Sequence, residues 1–504
     1  MRALLFDRVV IDGVPAYVGN QSGSIVAGLT FRVGVADEPA LDRGLTALIA
    51  ELAAIDVDEI EFDVGTTRTS FVATGRAAAV SEALAALCRA LPGFDDDDLT
   101  QLADTVLDEP QPLPDLQTTL LGLRFGAQSY GVSAVPPLAL LRVDAEIARA
   151  WTERFFTRGN AVLWSTGPFA PDIALPLPAG SRVEAPDHTE AECALPGWCP
   201  NAWIGSLFRD AIDCSIVATS SDATTVAVRA FAAEVAERLH DTRLRGAEPN
   251  IEIDAWSETI THIGVSLPTA AHGNDGIECI LGSLDDFADL GPDPDELADA
   301  ITEVQYWCTE PANAAAIAEM LANDELRTGR PRTLDEFIDA IEAVTAEEVA
   351  AAFGGMRDDV ILTTPSDAEI VDPRFTVIER TSGFALDGKQ YVRSKITGTP
   401  DDDARLTVGP DGVTYASADQ LLTVCFEDCV AGVTFPDRSI SLFDIDGSTI
   451  ELSEADWSDG ERAFDTIEAA LSADIALAAR RGFGAPTDVE YPEDVEYAED
   501  EVDD

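Results

Sequence analysis

The chain opens on a period-two pattern, then changes to a period of 3.6, and the same change recurs about 190 residues later. Residues 3–10 and 15–20 alternate as an opening hairpin. Residues 24–35, rich in branched side chains, predict one long strand closed by a glycine and an acidic turn. A helix follows over 41–54, then two shorter strands over 58–65 and 67–75. Helical spacing returns over 76–91, where Pro92 and Gly93 stop it, and again over 95–109, 116–126 and 144–156; residues 160–167 read as a strand. Asp95–Asp98 supply carboxylates suited to a helix N-terminus.

From 171 to 200 prolines cluster and periodicity vanishes, which predicts a linker. The earlier order then returns: a strand over 203–221, a long helix over 223–244, a strand pair over 250–257 and 260–268, helices over 276–290, 294–307, 312–324 and 333–353, and a closing strand over 358–365. Two halves with one order imply an internal duplication. Beyond 375 the pattern is of short strands with turn residues between them, 389–398 through 448–453, closed by one helix over 459–481. The domains expected are 1–170, a linker over 171–200, 201–370, a β-meander plus helix over 375–482, and an acidic disordered tail over 483–504. The last 18 residues hold ten acids.

Composition narrows the partners. The 504 residues carry 93 acids against 32 bases, a net charge of −61. Only Lys389 and Lys395 are lysines; every other base is arginine. Such a surface repels nucleic acid and anionic membranes. The apolar start at Ala3–Phe6 is broken by Asp7 and Arg8, too early for a signal peptide, and no stretch is long and apolar enough to span a bilayer. A cytoplasmic protein is expected, with its eight cysteines reduced.

Three stretches carry a resemblance. Residues 31–52, "FRVGVADEPALDRGLTALIAEL", resemble the strand, turn and zinc helix of the insulinase-type (pitrilysin-like) zinc peptidases. "AERLHDTRLRG" over 236–246 is similar to that family's R-L-x-x-x-L-R stretch, and "VTAEEV" over 344–349 to an ending of its late helix pair. The resemblance spans residues 1 to about 370 and implies an α+β fold of two duplicated peptidase half-domains. The element order after 375 resembles a small pleckstrin-homology-like module.

The family's chemistry needs H-x-x-E-H on the helix after that strand: two histidines one turn apart hold zinc, and the glutamate activates the bound water. Aligning Gly44-Leu45 with the family's G-L puts Ala47, Ala50 and Glu51 at those three positions. The resemblance thus implies a degenerate motif with no catalytic residue and no metal site, since one carboxylate cannot make a three-ligand zinc site. The alanines are expected to form a small apolar groove wall beside the single charge of Glu51. The downstream ligand position falls near Asp104 or Asp108. The family's substrate-binding arginine aligns with Leu244, one residue from both Arg243 and Arg245, of which Arg243 is the candidate; the tyrosine position falls near Asn250.

Other chemistry is sparse. His188, His240, His262 and His272 have no histidine partner at four residues' spacing and read as ordinary core or surface side chains. Cys425 and Cys429 could hold a metal only with help from Cys193 and Cys199. The carboxylate runs Asp95–Asp98 and Asp401–Asp403 lack calcium-loop spacing and read as solvated faces. No cofactor is expected. The resemblance points to a non-catalytic homologue, a partner subunit in a homo- or heterodimer with an insulinase-like chain or a peptide-binding scaffold. Two alternatives stand beside it: a zinc metalloendopeptidase using Glu51 with carboxylates such as Asp104, and a docking protein acting through the C-terminal module.

Overall fold

A computed structural model describes residues 4–108, 116–186, 201–205, 211–269, 272–365, 368, 370–378, 382, 384–394, 403–418 and 420–479. His188, Cys193, Cys199, Asp401 and the expected acidic tail lie outside them.

The first half contains β1 (Phe6–Ile11), β2 (Val14–Gly19), β3 (Ser24–Phe31), α1 (Leu45–Ala54), β4 (Ile60–Val64), β5 (Thr69–Arg76), α2 (Ala77–Ala90), α3 (Asp96–Asp108), α4 (Leu116–Phe125), α5 (Ala145–Phe155) and β6 (Ala161–Ser165). The second half contains β7 (Ala202–Ile204), β8 (Ala211–Thr219), α6 (Asp222–His240), β9 (Asn250–Ala255), β10 (Ile260–Pro268), α7 (Gly273–Leu290), α8 (Pro294–Thr309), α9 (Ala314–Thr328), α10 (Leu334–Glu342), α11 (Ala346–Arg357), β11 (Val360–Thr363) and β12 (Thr376–Val377).

The two six-stranded sheets repeat one topology. The first runs β1-β2-β6-β3-β5-β4 and the second β12-β7-β11-β8-β10-β9. In each, the second and third strands are parallel and the next three pairings antiparallel. The duplication expected from the sequence is therefore present in the strand order. The copies differ at one edge. There β1 pairs antiparallel with β2, whereas β12 comes from the far end of the second half and pairs parallel with β7.

The halves exchange helices across their sheets. Helix α9 of the second half packs on β2, β3 and β6 of the first, and α4 of the first packs on β8 of the second. Apolar residues of the first sheet, Tyr17, Val162 and Trp164, belong to the same buried core as Phe231, Leu321 and Phe353. Each such side chain contributes about 1.5–3 kcal/mol by leaving water. Polar ties secure both crossings. Glu325 of α9 accepts from Arg8 Nη2 at 2.7 Å and from the Tyr17 hydroxyl at 2.8 Å. From α4, Gln117 donates to the Cys214 carbonyl at 3.1 Å, while Arg124 reaches the Ser215 carbonyl at 2.8 Å and pairs with Asp359.

The C-terminal part holds two four-stranded sheets. One is β13 (Lys389–Val392), β14 (Arg405–Val408), β15 (Gly412–Ala416) and β16 (Leu421–Cys425). The other is built from β17 (Cys429–Thr434), β18 (Ser439–Asp444), β19 (Thr449–Ser453) and β20 (Ala476–Ala478), with α12 (Gly460–Ala470) preceding the last strand. These strands and α12 enclose their own core, which includes Leu406, Leu442, Trp457 and Phe464.

Four expectations need correction. The strand read over 24–35 stops at Phe31, because Arg32 turns inward and is held by Asp37 and the carbonyls of Thr67, Val183 and Glu184. The strand read over 203–221 is two strands, β7 and β8. The helix read over 459–481 ends at Ala470, and residues 476–478 turn back as β20 alongside β17. The linker read over 171–200 is, as far as residue 186, packed chain: Leu175 and Leu177 are buried in the first half's core, and the Pro178 carbonyl accepts from Arg158 N at 3.0 Å.

Candidate functional site

Helix α1 is short and apolar, and most of it is core: Leu45, Leu48, Ile49, Ala50 and Ala53 are all buried. Its start is built by the acidic turn before it. Gly44 adopts φ 96°, a conformation open to glycine, and a Cβ there would lie 2.8 Å from Pro137 Cβ. Glu38 is fully buried and caps the helix, accepting from Gly44 N at 2.9 Å and Thr46 N at 2.7 Å, with Arg43 Nη1 3.7 Å away. Burial pushes its carboxyl above the ordinary range, against the pull of Arg43 and the two amides. The acid of the lead-in therefore serves as a helix cap.

The three motif positions differ in environment. Ala47 and Glu51 are half-buried, whereas Ala50 has no exposure at all. The expected apolar groove wall is thus not what Ala50 forms; it is a core contact. Asp104 is half-buried on α3, beside a cavity of only about 60 Å³ lined by Leu107, Leu140 and Arg142, and Asp108 is exposed. Among the described residues no three histidine, cysteine or carboxylate side chains are grouped to hold a metal ion. These residues do not fit zinc: Ala47 and Ala50 have no donor, and neutral methyl groups stand where imidazole and carboxylate would be needed.

The remaining candidates are dispersed. Arg243 and Arg245 are exposed on the turn after α6, and Leu244 between them is buried. His240 is exposed, while His262 is buried in β10 with its Nε2 3.0 Å from the Ser215 hydroxyl. Burial, then the nearby Arg124 charge, lower the His262 pKa to about 3, so the ring is neutral. Cys425 and Cys429 stand at facing ends of β16 and β17 with their thiols pushed up by burial, Cys429 to about 11. They therefore lack thiolate character.

A much larger concavity lies elsewhere, mainly in the second half, with a volume of about 810 Å³. The N-terminal turns of α6, the outer strand β9, helix α9 and the segment after it line it, and Arg68 enters from the first half. Helix α6 occupies in the second half the place that α1 occupies in the first, following the corresponding strand and preceding the corresponding hairpin. Arginine–carboxylate pairs ring the cleft: Arg332 grips Asp222 through two bonds of 2.9 and 3.0 Å, Arg68 meets Asp254 at 2.6 Å, and Arg327 pairs with Asp324. Ile253, 43% exposed, and Trp307, Met320 and Phe337 supply apolar wall. A concavity of this size and mixed lining suits a ligand of peptide or cofactor dimensions.

Sequence reasoning passed over this cleft. Its residues are spread from Arg68 to Phe337, so no local motif contains them. One signal was available: "RTGRPR", residues 327–332, places three arginines within six positions of a chain that has few cations.

The architecture of the two duplicated halves has known counterparts. It is the fold of M16-like peptidases, the insulinase-type family that the sequence resembles. A structure described as an M16-like peptidase from Alicyclobacillus acidocaldarius is 14% identical and covers 73% of this chain and 99% of its own, with a TM-score of 0.54. A peptidase M16 inactive domain from Pseudomonas fluorescens is 13% identical, with 73% and 100% covered and a TM-score of 0.54. A chain of complex III2 from Candida albicans is 15% identical, with 73% and 97% covered and a TM-score of 0.57. No protein-family model and no curated protein matches the sequence. At these identities the likeness establishes the fold.

Proposed function

We propose that this chain is a non-catalytic homologue of the insulinase-type metallopeptidases, serving as a partner subunit or as a scaffold that binds a peptide or protein. The observation that carries the reading is helix α1: Ala47 and Ala50 bring no donor to the positions where the family's chemistry requires two, and Ala50 is closed into the core. An inactive M16 domain and a complex III2 chain with the same fold are consistent with it. The fold alone does not assign an activity.

In this reading residues 1–170 and 201–370 are the two peptidase-like halves, and 375–482 form a pleckstrin-homology-like module. The cytoplasm is the proposed location, with a homodimer or a heterodimer with an insulinase-like chain as the assembly. Arg243, exposed and outside the lining of the large cleft, is not carried forward as a ligand contact. The cleft along β9 and α9 is the place proposed to hold the bound segment.

Metal analysis of the purified full chain, with cleavage assays on unstructured peptides, tests the proposal. Less than about 0.1 zinc per chain and no chelator-sensitive cleavage are expected. Near-stoichiometric zinc with chelator-sensitive cleavage would overturn it and favour ligation through Glu51 and the α3 carboxylates.

A further inference from the structure

The lining of the large cleft departs in charge from the rest of the chain. Acids outnumber bases 93 to 32 over the whole sequence, yet the lining holds five arginines to six carboxylates. Three of the arginines are engaged within the wall: Arg332 with Asp222, Arg68 with Asp254 and Arg327 with Asp324. The other two are loosely held. Arg330 is 78% exposed and meets Glu258 at 3.2 Å, and Arg229 is 43% exposed and lies 3.7 Å from Glu303. Exposed pairs of this kind are worth under about 1 kcal/mol, so an incoming carboxylate can exchange for Glu258 or Glu303 at little cost. The same cleft has an apolar wall of Ile253, Trp307, Met320 and Phe337.

One segment of the sequence matches that lining. Residues 488–499 are a tandem hexapeptide, DVEYPE followed by DVEYAE. In each copy a valine and a tyrosine stand two apart, Val489 and Tyr491, then Val495 and Tyr497. In an extended chain that spacing sets the two apolar groups on one side and the intervening acids on the other. Such a segment is repelled by most of this acidic chain and least by a lining near charge balance. The reach is sufficient. Ala479, whose N donates to the Thr434 carbonyl at 2.9 Å, is the last described residue. Residues 480–497 can span up to about 60 Å. A globule of this length has a radius of gyration of about 23 Å.

We infer that the cleft is a docking site for this chain's own acidic repeat: residues 488–499 lie in it, with valine and tyrosine on the apolar wall and carboxylates on Arg330 and Arg229, and an outside peptide must displace them. The inference rests on the reading of the cleft as a peptide-holding site; it adds the resident occupant and the regulation that follows. Tethering supplies an effective concentration in roughly the millimolar range, so even a modest affinity keeps the cleft occupied.

Fluorescence anisotropy of a labelled peptide of residues 486–499, titrated with the full chain, tests this. In the full-length variant Val489→Ser, Tyr491→Ser, Val495→Ser, Tyr497→Ser the tethered repeat no longer competes, and the peptide should bind at least about tenfold tighter than to the wild type. Arg229→Glu with Arg330→Glu, both exposed changes, added to that variant should weaken the peptide about tenfold. The counterpart peptide with asparagine and glutamine in place of every acid should also bind about tenfold more weakly. Equal affinity for the wild type and the repeat variant, or no effect of the charge reversals, overturns the inference. If the amide counterpart binds the repeat variant and the acidic peptide does not, the repeat is not the occupant and the peptide-holding reading stands; if neither binds, both fall. Dimers formed in sedimentation by the wild type and not by the repeat variant would place the segment in a neighbouring copy's cleft and overturn the intrachain form.

Discussion

The indole of Trp256 lies flat against the phenol ring of Tyr130, with centroids 4.2 Å apart and planes 8° from parallel. Trp256 follows β9 in the second half, and Tyr130 follows α4 in the first. The other face of the indole stacks on His262 at 4.8 Å, and its Nε1 donates to Asp254, the carboxylate held by Arg68 of the first half. One side chain thus joins the two halves through rings and through an ion pair. Trp256→Ala should cost about 3–5 kcal/mol of unfolding free energy. Denaturant unfolding monitored by circular dichroism checks this; a loss below about 1 kcal/mol would mean the stack is not a joint.

The same stack predicts an acid limit. His262 has a pKa near 6.5 when unfolded and about 3 when buried. Between these values the unfolded chain binds a proton that the folded chain does not, so stability should fall as pH drops below about 6.5 and be lowest below about 3. The loss is on the order of a few kcal/mol. Unfolding free energies measured from pH 7 to 4 at constant salt test it, and His262→Phe should flatten part of the slope.

Glu38 is expected to matter through structure. Glu38→Ala strips the caps from Gly44 N and Thr46 N inside the core and leaves Arg43 without its neighbour. A loss of about 2–4 kcal/mol is expected. Slower exchange protection loss elsewhere, with α1 amides exchanging first, would locate the effect at the helix start.

Ala50 and Ala47 should respond differently to the family's residues. Ala50→Glu buries an unpaired carboxylate and should cost about 3 kcal/mol or more, whereas Ala47→His, at a half-buried position, should cost less than about 1.5 kcal/mol. Thermal unfolding of the two variants decides it. Equal, small effects would show that the space beside α1 is open.

The triad at the other crossing gives a separate test of the helix exchange. Glu325→Leu removes the acceptor shared by Arg8 and Tyr17 and should cost about 1–3 kcal/mol, with Arg8 rehydrating because it is about one-third exposed. Double-mutant cycles with Trp256→Ala should be additive within about 0.5 kcal/mol if the two joints act independently.

Much of the fold could be read from local pattern. Period-two segments gave β1, β2, β5 and the strands from β13 to β19, because a half-buried strand must alternate. The helix read over 333–353 is two, α10 and α11, and each opens on a capping box, Thr333 with Glu336 and Thr345 with Glu348. The misreadings share a cause. Strand β3 ends at Phe31 because Arg32 finds partners near residues 67 and 183, and β20 exists because β17 offers it an edge. Neither partner is near in sequence.

The sequence by itself determined the two repeated element orders, the absence of histidine ligands on α1, and the scarcity of cations, since each is a matter of residue identity and spacing along one strand or helix. Tertiary structure alone decided that α4 and α9 cross to the opposite sheets, that Ala50 is core, and that five arginines between Arg68 and Arg332 line one cleft. These outcomes depend on which distant surfaces meet, and burial and neighbouring charge act through space.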